Sequence, residues 1–311
     1  MILTLTMNPA IDRNVTVDRL AFEDRGYICS TQDSAGGRGI NASSVIHSFG
    51  GRTLAICPAG GRGGEKLKRY LDAVEFAYEA VPIEGEIRTN LNLTDRTGLT
   101  IKLNERGPVL TQAEVDAVER AVKAHLPFAS WLMICGSLPR KVSGTLYGSL
   151  VHLGKQAKVR VLLDADDEEL REGLEAGPFM VTPNQREAER LLNTVLITRT
   201  HFVAAAERIR QMGPANVVLS IGSRGAVLAT EEGAWEVEPP RVDAVSPVGA
   251  GDALAAALVW AMEQGHAPLE AVRWGVAAGT ASAMKPGLNF ANRQETEELL
   301  ERVTVKRVET L

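Results

Sequence analysis

The sequence predicts an α/β fold built on a mostly parallel central sheet, with a small second sheet attached. Three observations carry this. From residue 112 onward, apolar strand-like runs alternate with helical runs, the pattern of crossover units whose sheet is covered on both faces. Each of those strand-like runs ends in a Gly/Ser/Asn/Asp cluster, so the clusters gather along the carboxyl edge where open α/β sheets bind ligands. Residues 86–103 instead alternate polar and apolar around Asp95-Arg96-Thr97-Gly98, which reads as a hairpin with its own turn.

Taken in order, residues 2–7 read as a first strand ending at Asn8-Pro9-Ala10-Ile11-Asp12. Residues 14–18 alternate and predict a half-exposed strand. Ala35-Gly36-Gly37-Arg38-Gly39-Ile40-Asn41 is a Gly-rich loop opening a helix. A strand over 52–57 and a helix over 65–71 follow. The hairpin strands 86–93 and 99–103, with 14–18, predict a one-faced sheet able to act as a lid and to pair its apolar face with a second subunit. Helices are expected over 112–126, 146–155, 168–175, 185–193 and 201–212, and strands over 131–135, 159–164, 179–181 and 217–221. Residues 227–229 and 235–237 read as a small antiparallel pair, and a strand-like segment ends near Ala244. Next come Ser246-Pro247-Val248-Gly249-Ala250-Gly251-Asp252 and an apolar helix over 253–262. A helix rich in small residues (269–283) and a final helix (294–303) close the chain. No repeat or long linker divides residues 1–311, which read as one domain.

The bulk numbers narrow the function. A chain of 311 residues, 45% hydrophobic, can bury a large α/β core. The net charge of −5 offers no positive field for nucleic acid, so any phosphate recognition is local. Cys29, Cys57 and Cys135 are odd in number and widely spaced, as in a reduced cytoplasmic protein. The first residues lack the basic start of a signal peptide, and the 253–262 run is too short to span a bilayer. The expectation is a cytoplasmic protein with no membrane or nucleic-acid partner.

Two Gly-rich loops open helices, and each has two readings. In Gly249-Ala250-Gly251-Asp252 the backbone can approach a ligand closely, and the helix N-terminus favours an anion. Asp252 is then either a dipole-complementing cap or a base beside a held phosphoryl group. In Gly36-Gly37-Arg38-Gly39-Ile40-Asn41, Arg38 suits phosphate and Asn41 suits hydroxyls, against a turn with a surface Arg. Asp12 lies just past the first strand, either solvated or at the ligand edge. The small residues of 269–283 serve close helix packing or a flat surface for adenine.

These motifs together resemble the ribokinase-like (PfkB) carbohydrate kinases. Asn8-Pro9-Ala10-Ile11-Asp12, the Gly36–Asn41 loop, Gly136-Ser137-Leu138-Pro139, Asn184-Gln185-Arg186-Glu187, Ser220-Ile221-Gly222-Ser223-Arg224-Gly225 and Gly249-Ala250-Gly251-Asp252 occur in that family's order over almost the whole chain. The opening segment most resembles the phosphosugar branch, which includes 1-phosphofructokinase and tagatose-6-phosphate kinase. The resemblance implies a three-layer sandwich with lid strands over about 12–32 and 84–106. It implies Asp252 as base, and Gly249, Ala250 and Gly251 as the anion hole. Asp12, Gly37 and Asn41 would hold sugar hydroxyls, and Ser137 would add a contact. Arg88, with Arg25 and Arg38, would grip the phosphate already on the sugar. Asn184 and Glu187 would organise Mg²⁺, with Asn184, Ser220, Gly222, Gly225 and Ala278 on ATP. A homodimer through the lid is also implied.

Three departures stand out. Arg38 replaces the family's usual Lys, Ser246-Pro247 replaces its Asp/Asn-Ser/Thr, and Thr182 replaces a Lys two residues before the Asn. The second bears on a monovalent-cation site at carbonyls near Ser246, Val248 and Lys285. The expected activity is ATP-dependent phosphorylation of a ketohexose monophosphate. The alternatives are a kinase for an unphosphorylated sugar or nucleoside, and a non-catalytic sugar-phosphate-binding regulator.

Overall fold

A computed structural model describes residues 1–21 and 24–308 of the chain. Residues 22–23, inside the expected lid span, and 309–311 lie outside the described residues. The strands are β1 (Ile2–Thr6), β2 (Ala10–Val17), β3 (Ile28–Gly36), β4 (Thr53–Ala59), β5 (Ala77–Pro82), β6 (Arg88–Asp95), β7 (Thr100–Asn104), β8 (Trp131–Cys135), β9 (Arg160–Asp164), β10 (Met180–Val181), β11 (Asn216–Ser220), β12 (Ala226–Thr230), β13 (Gly233–Glu238) and β14 (Thr304–Val308). The helices are α1 (Arg38–Ser48), α2 (Gly61–Asp72), α3 (Gln112–His125), α4 (Thr145–Gln156), α5 (Asp167–Glu175), α6 (Gln185–Leu192), α7 (Arg199–Gln211), α8 (Ala250–Glu263), α9 (Pro268–Ala283) and α10 (Arg293–Leu300).

Ten strands form one sheet in the order β14-β13-β12-β11-β10-β9-β8-β1-β4-β5. Pairing is parallel from β5 to β11 and antiparallel from β11 to β14. The period-two alternation of each strand divides its side chains between two layers. On β1, Leu3 and Leu5 face a core shared with α2 to α7, while Ile2 faces a second core shared with α1, α8 and α9. This is the expected three-layer sandwich.

The second sheet has the order β3-β2-β6-β7. In register, Asp12 of β2 lies opposite Ser34 and Asn90, and Asn14 opposite Gln32 and Asn92. One face of this sheet is therefore almost wholly polar. The other carries Val15, Leu91, Leu93, Ile101 and Leu103.

Three strands escaped the sequence reading. β3, β5 and β14 lie at sheet edges and bury few of their residues, so neither an apolar run nor clean alternation marks them. The segment expected to end as a strand near Ala244 is not one. Regular structure stops at Glu238, before Pro239-Pro240, whose ring nitrogens cannot donate to a ladder.

Between α8 and α9 the bland reading of the small residues holds. A Cβ on Gly275 would fall 2.8 Å from the Leu254 carbonyl, and one on Gly279 2.8 Å from the Ala250 carbonyl. Only hydrogen at these positions lets the helices approach so closely. Ala278 is buried in that contact and offers no open surface to a base.

Candidate active site

The carboxyl ends of β1, β8 and β9 meet the start of α1, the start of α8 and the polar face of the small sheet around a cavity of about 270 Å³. Thr6, Cys135 and Asp164 are register partners across these three strand ends, so the sheet delivers them side by side.

α1 is pressed against the end of β1. A Cβ on Gly39 would fall 2.6 Å from Thr6 Oγ1, one on Gly37 would fall 2.5 Å from Thr6 Cγ2, and Gly37 has φ 125°. The Ile40 N–H donates to Thr6 Oγ1 at 3.1 Å. This fixes the two residues the helix presents to the cavity, Arg38 and Asn41. They are three apart and share a face.

Asn41 Nδ2 donates to Asp252 Oδ2 at 2.7 Å. Asp252 sits in the first turn of α8, whose N-cap Gly249 has φ 78°. Burial, then the neighbouring Asp164, push the Asp252 carboxyl up to about 7, although Arg38 and Asn41 oppose the rise. A carboxyl group poised there suits proton acceptance near neutral pH. A Cβ on Gly251 would meet nothing within 4 Å, so open space lies before it. Among the described residues, no acceptor takes the Gly251 or Asp252 N–H. Gly249 is closed in by Leu288 and Phe290 instead, each within 3 Å of where its Cβ would stand. The helix start thus offers free donors to an anion.

The lid side is built differently. Asp12 is buried and accepts from Asn90 Nδ2 at 2.8 Å. Burial raises its pKa, and Asn90, Arg88 and Lys102 lower it in part. Arg88 donates through Nε to the Asn8 carbonyl and through Nη1 to the Glu105 carbonyl. Neither Arg88 nor Lys102 has a carboxylate partner within 4 Å among the described residues. Ser137 also lines the cavity, and its Oγ accepts from Asn8 Nδ2 at 3.4 Å.

The opposite wall is acidic. Arg38 Nη1 donates to Asp164 at 2.9 Å, and Nη2 donates to Asp166 at 2.6 Å and Glu187 at 3.4 Å. Glu187 is pushed up to about 8, chiefly by burial and then by its hydrogen bond to Asp166.

Several expected residues stand elsewhere or do other work. Arg38 does not join Arg88; its charge is committed to carboxylates. Arg25 is exposed in the connection between β2 and β3 and does not line the cavity. Ala10 pairs with Gly36, so that connection lies at the far end of the hairpin, beyond Val17, which is itself roughly 17 Å from Asp12 at about 3.3 Å per residue. Asn184 is the N-cap of α6: its Oδ1 accepts from the Glu187 N–H, and Glu187 Oε2 accepts from the Asn184 N–H. Glu187 keeps only its second oxygen for the site. Ser220 ends β11 and Gly222 follows it at the same sheet edge, and a Cβ on Gly222 would meet open space. Gly225 instead answers a packing demand, since its Cβ would fall 2.0 Å from the Val237 carbonyl.

The sequence reading missed Asn90, Asn92, Lys102, Asn104 and Asp166, all of which line the cavity. The alternation of Arg88, Asn90 and Asn92 with Thr89, Leu91 and Leu93 was the available signal. The departure at Ser246-Pro247 is partly made good, because Ser246 Oγ accepts from the Val248 N–H at 3.3 Å. The Val245 and Ser246 N–H groups both donate to the Ala283 carbonyl, which joins this loop to the end of α9.

The fit to a divalent cation rests on the acidic wall. Among the described residues, no group of three or more His, Cys, Asp or Glu side chains could hold a metal by itself. Mg²⁺ needs less, because it keeps waters and leans on one or two carboxylates plus substrate phosphates. The Asp166–Glu187 pair supplies hard oxygens, and near it the Thr182 hydroxyl is buried without a partner.

A carboxyl group with a raised pKa at a helix start with free N–H donors, facing a polar cavity wall, suits a phosphotransferase that acts on a sugar hydroxyl. Comparison with known proteins agrees. Residues 4–295 match the pfkB family of carbohydrate kinases, and the chain belongs to that family. It is 31% identical over 302 residues to the ATP-dependent 6-phosphofructokinase isozyme 2 of Mycobacterium tuberculosis, covering 96% of this chain and 89% of that one. It is 28% identical over 311 residues to the 1-phosphofructokinase of Borreliella burgdorferi, covering both chains fully. The crystal structure of phosphofructokinase-2 from Escherichia coli in complex with potassium superposes with a TM-score of 0.90 at 30% identity, covering 97% of this chain and 98% of that one. The fold is ribokinase-like.

Proposed function

We propose that this enzyme transfers the γ-phosphoryl group of ATP, with Mg²⁺, to a ketohexose monophosphate of the 1-phosphofructokinase or tagatose-6-phosphate kinase type, giving a bisphosphate. The observation that carries this reading is Arg88. It is a half-buried guanidinium, turned to the cavity and without a carboxylate partner within 4 Å among the described residues, and desolvation holds its pKa below the ordinary value. A half-buried cation at a cavity wall with no carboxylate to neutralise it invites an anion that arrives with the acceptor. Phosphofructokinases among its relatives fit the same reading.

In the reaction, the acceptor hydroxyl oxygen bonds to the γ-phosphorus while the bond to the β-phosphate oxygen breaks and leaves its electron pair on ADP. Asp252 receives the hydroxyl proton. Asp12 and Asn41 orient the sugar, and the free N–H groups at the start of α8 hold the transferring oxygens. Asp166 and Glu187 would hold Mg²⁺, which screens the triphosphate charge. Ser220 and Gly222 border the nucleotide.

A coupled assay with fructose 1-phosphate, fructose 6-phosphate, tagatose 6-phosphate and the free sugars tests the proposal. Turnover confined to phosphosugars is expected; turnover confined to free sugars refutes it.

A further inference from the structure

We infer that Arg38 is a catalytic residue that bonds the transferring phosphoryl group, rather than a grip on the phosphate already carried by the sugar. The inference rests on the kinase reading above.

The argument begins with α1. Arg38 and Asn41 project from one face of this helix, and Asn41 is bonded to Asp252. Arg38 therefore borders the space in front of the base. Its guanidinium turns away from the lid, toward Asp164, Asp166 and Glu187. A guanidinium has five donors. Three contacts go to these carboxyl groups, which leaves the Nε–H and one Nη1–H without an acceptor among the described residues.

Electrostatics separates two phosphate positions. Around Arg38, three carboxyl groups face one cation, so an added dianion without its own metal is unwelcome there. Around Arg88 and Lys102, two cations face the cavity with Asp12 as the nearby carboxyl group and no carboxylate within 4 Å among the described residues. The acceptor's phosphate belongs with the second group. A metal-bound triphosphate brings the positive charge that the acidic wall lacks, and its terminal phosphoryl would come within reach of the two free donors.

The test compares Arg38→Gln and Arg38→Lys with wild type. Binding is read as well as turnover: fructose 6-phosphate and fructose 1-phosphate alone, then ADP, Mg²⁺ and fluoroaluminate, a mimic of the transferring group. Arg38→Gln is expected to lower kcat by about 10²–10³-fold. Phosphosugar affinity should change less than about threefold, and tight fluoroaluminate binding should be lost. Arg38→Lys, which keeps the charge but not the fork, should lie between. Phosphosugar affinity kept in Arg38→Gln while kcat falls is a combination that a merely misfolded variant could not show. If phosphosugar affinity instead falls about tenfold or more with kcat kept, Arg38 grips the acceptor and the inference is wrong. Undiminished fluoroaluminate binding in Arg38→Gln also overturns it. The fluoroaluminate comparison does not depend on the acceptor, so it reads Arg38 even if the phosphosugar assignment fails.

Discussion

Replacing Asp252 with Asn should make the protein more stable while it destroys turnover, and the gain should depend on pH. Burial beside Asp164 raises the Asp252 pKa from the ordinary 3.8 to about 7. Between those values the folded chain holds a proton that the unfolded chain has lost, so stability falls as pH rises through the window. A shift of about three units corresponds to ~4 kcal/mol, fully lost above pH 7 and fully regained near pH 4. The carboxyl is half-buried and open to cavity water, so ~4 kcal/mol is a ceiling and about 2 kcal/mol is the working expectation. Asn is isosteric, keeps an oxygen for Asn41 Nδ2 and does not titrate. Urea unfolding of both proteins at pH 4.5 and pH 8, at roughly these ends of the window, measures the difference. Asp252→Asn should be favoured by about 2 kcal/mol at the higher pH and by little at the lower. An equal difference at both pH values would refute the argument, because an uncharged cause cannot know the pH.

Two further outcomes follow from the geometry. Arg88→Ala should raise the KM for a phosphosugar by about 10- to 100-fold, the worth of charge-assisted hydrogen bonds at about 1.5–3 kcal/mol, with kcat less affected. Unaltered phosphosugar kinetics would remove Arg88 from the site. Gly279→Ala should cost about 1–3 kcal/mol by overpacking and should lower kcat as well, since its Cβ would press on the Ala250 carbonyl at 2.8 Å and tilt the start of α8. A thermal melt and one kinetic run check both effects, and a stability loss with kcat intact would break the link to the anion site.

The parallel half of the large sheet was legible because buried parallel strands write themselves as apolar runs closed by Gly, Ser, Asn or Asp. The Gly249–Asp252 start was legible for a related reason, as a tight turn and a long buried helix leave little choice of residues. Asn90, Asn92 and Lys102 were harder. Alternation in β6 announces a polar face, but a polar face toward water and one toward a sugar have the same period. Only the docking of the small sheet over the strand ends distinguishes them. Asn184 and Glu187 show the reverse ambiguity. The spacing that suits a metal-organising pair is also that of a capping box, and the structure uses it for the cap. Asp166 lies past a strand end, where an acid also begins a helix favourably, so nothing local marks its contact with Arg38.

The division of charge in the cavity follows from which parts the core holds. Asn41 and Arg38 stand on a helix pinned to β1 through Gly37, Gly39 and Thr6, and Asp252 on a helix pinned to α9 through Gly275 and Gly279. Moving any of these would require elements that are packed too closely to admit a Cβ at these glycines to separate. Asp12, Asn90, Arg88 and Lys102 stand on the small sheet, whose edge strands β3 and β7 are largely exposed and whose β3 is tied to α2 by the Lys66–Asp33 ion pair. Phosphoryl transfer asks for donors held before the charge develops, so reacting groups gain from the pinned elements. Acceptor recognition tolerates a looser mount, because a phosphate can draw Arg88 and Lys102 onto itself when it binds. On this view, substitutions on β6 and β7 change which sugar is chosen, and substitutions at the starts of α1 and α8 change how fast it reacts.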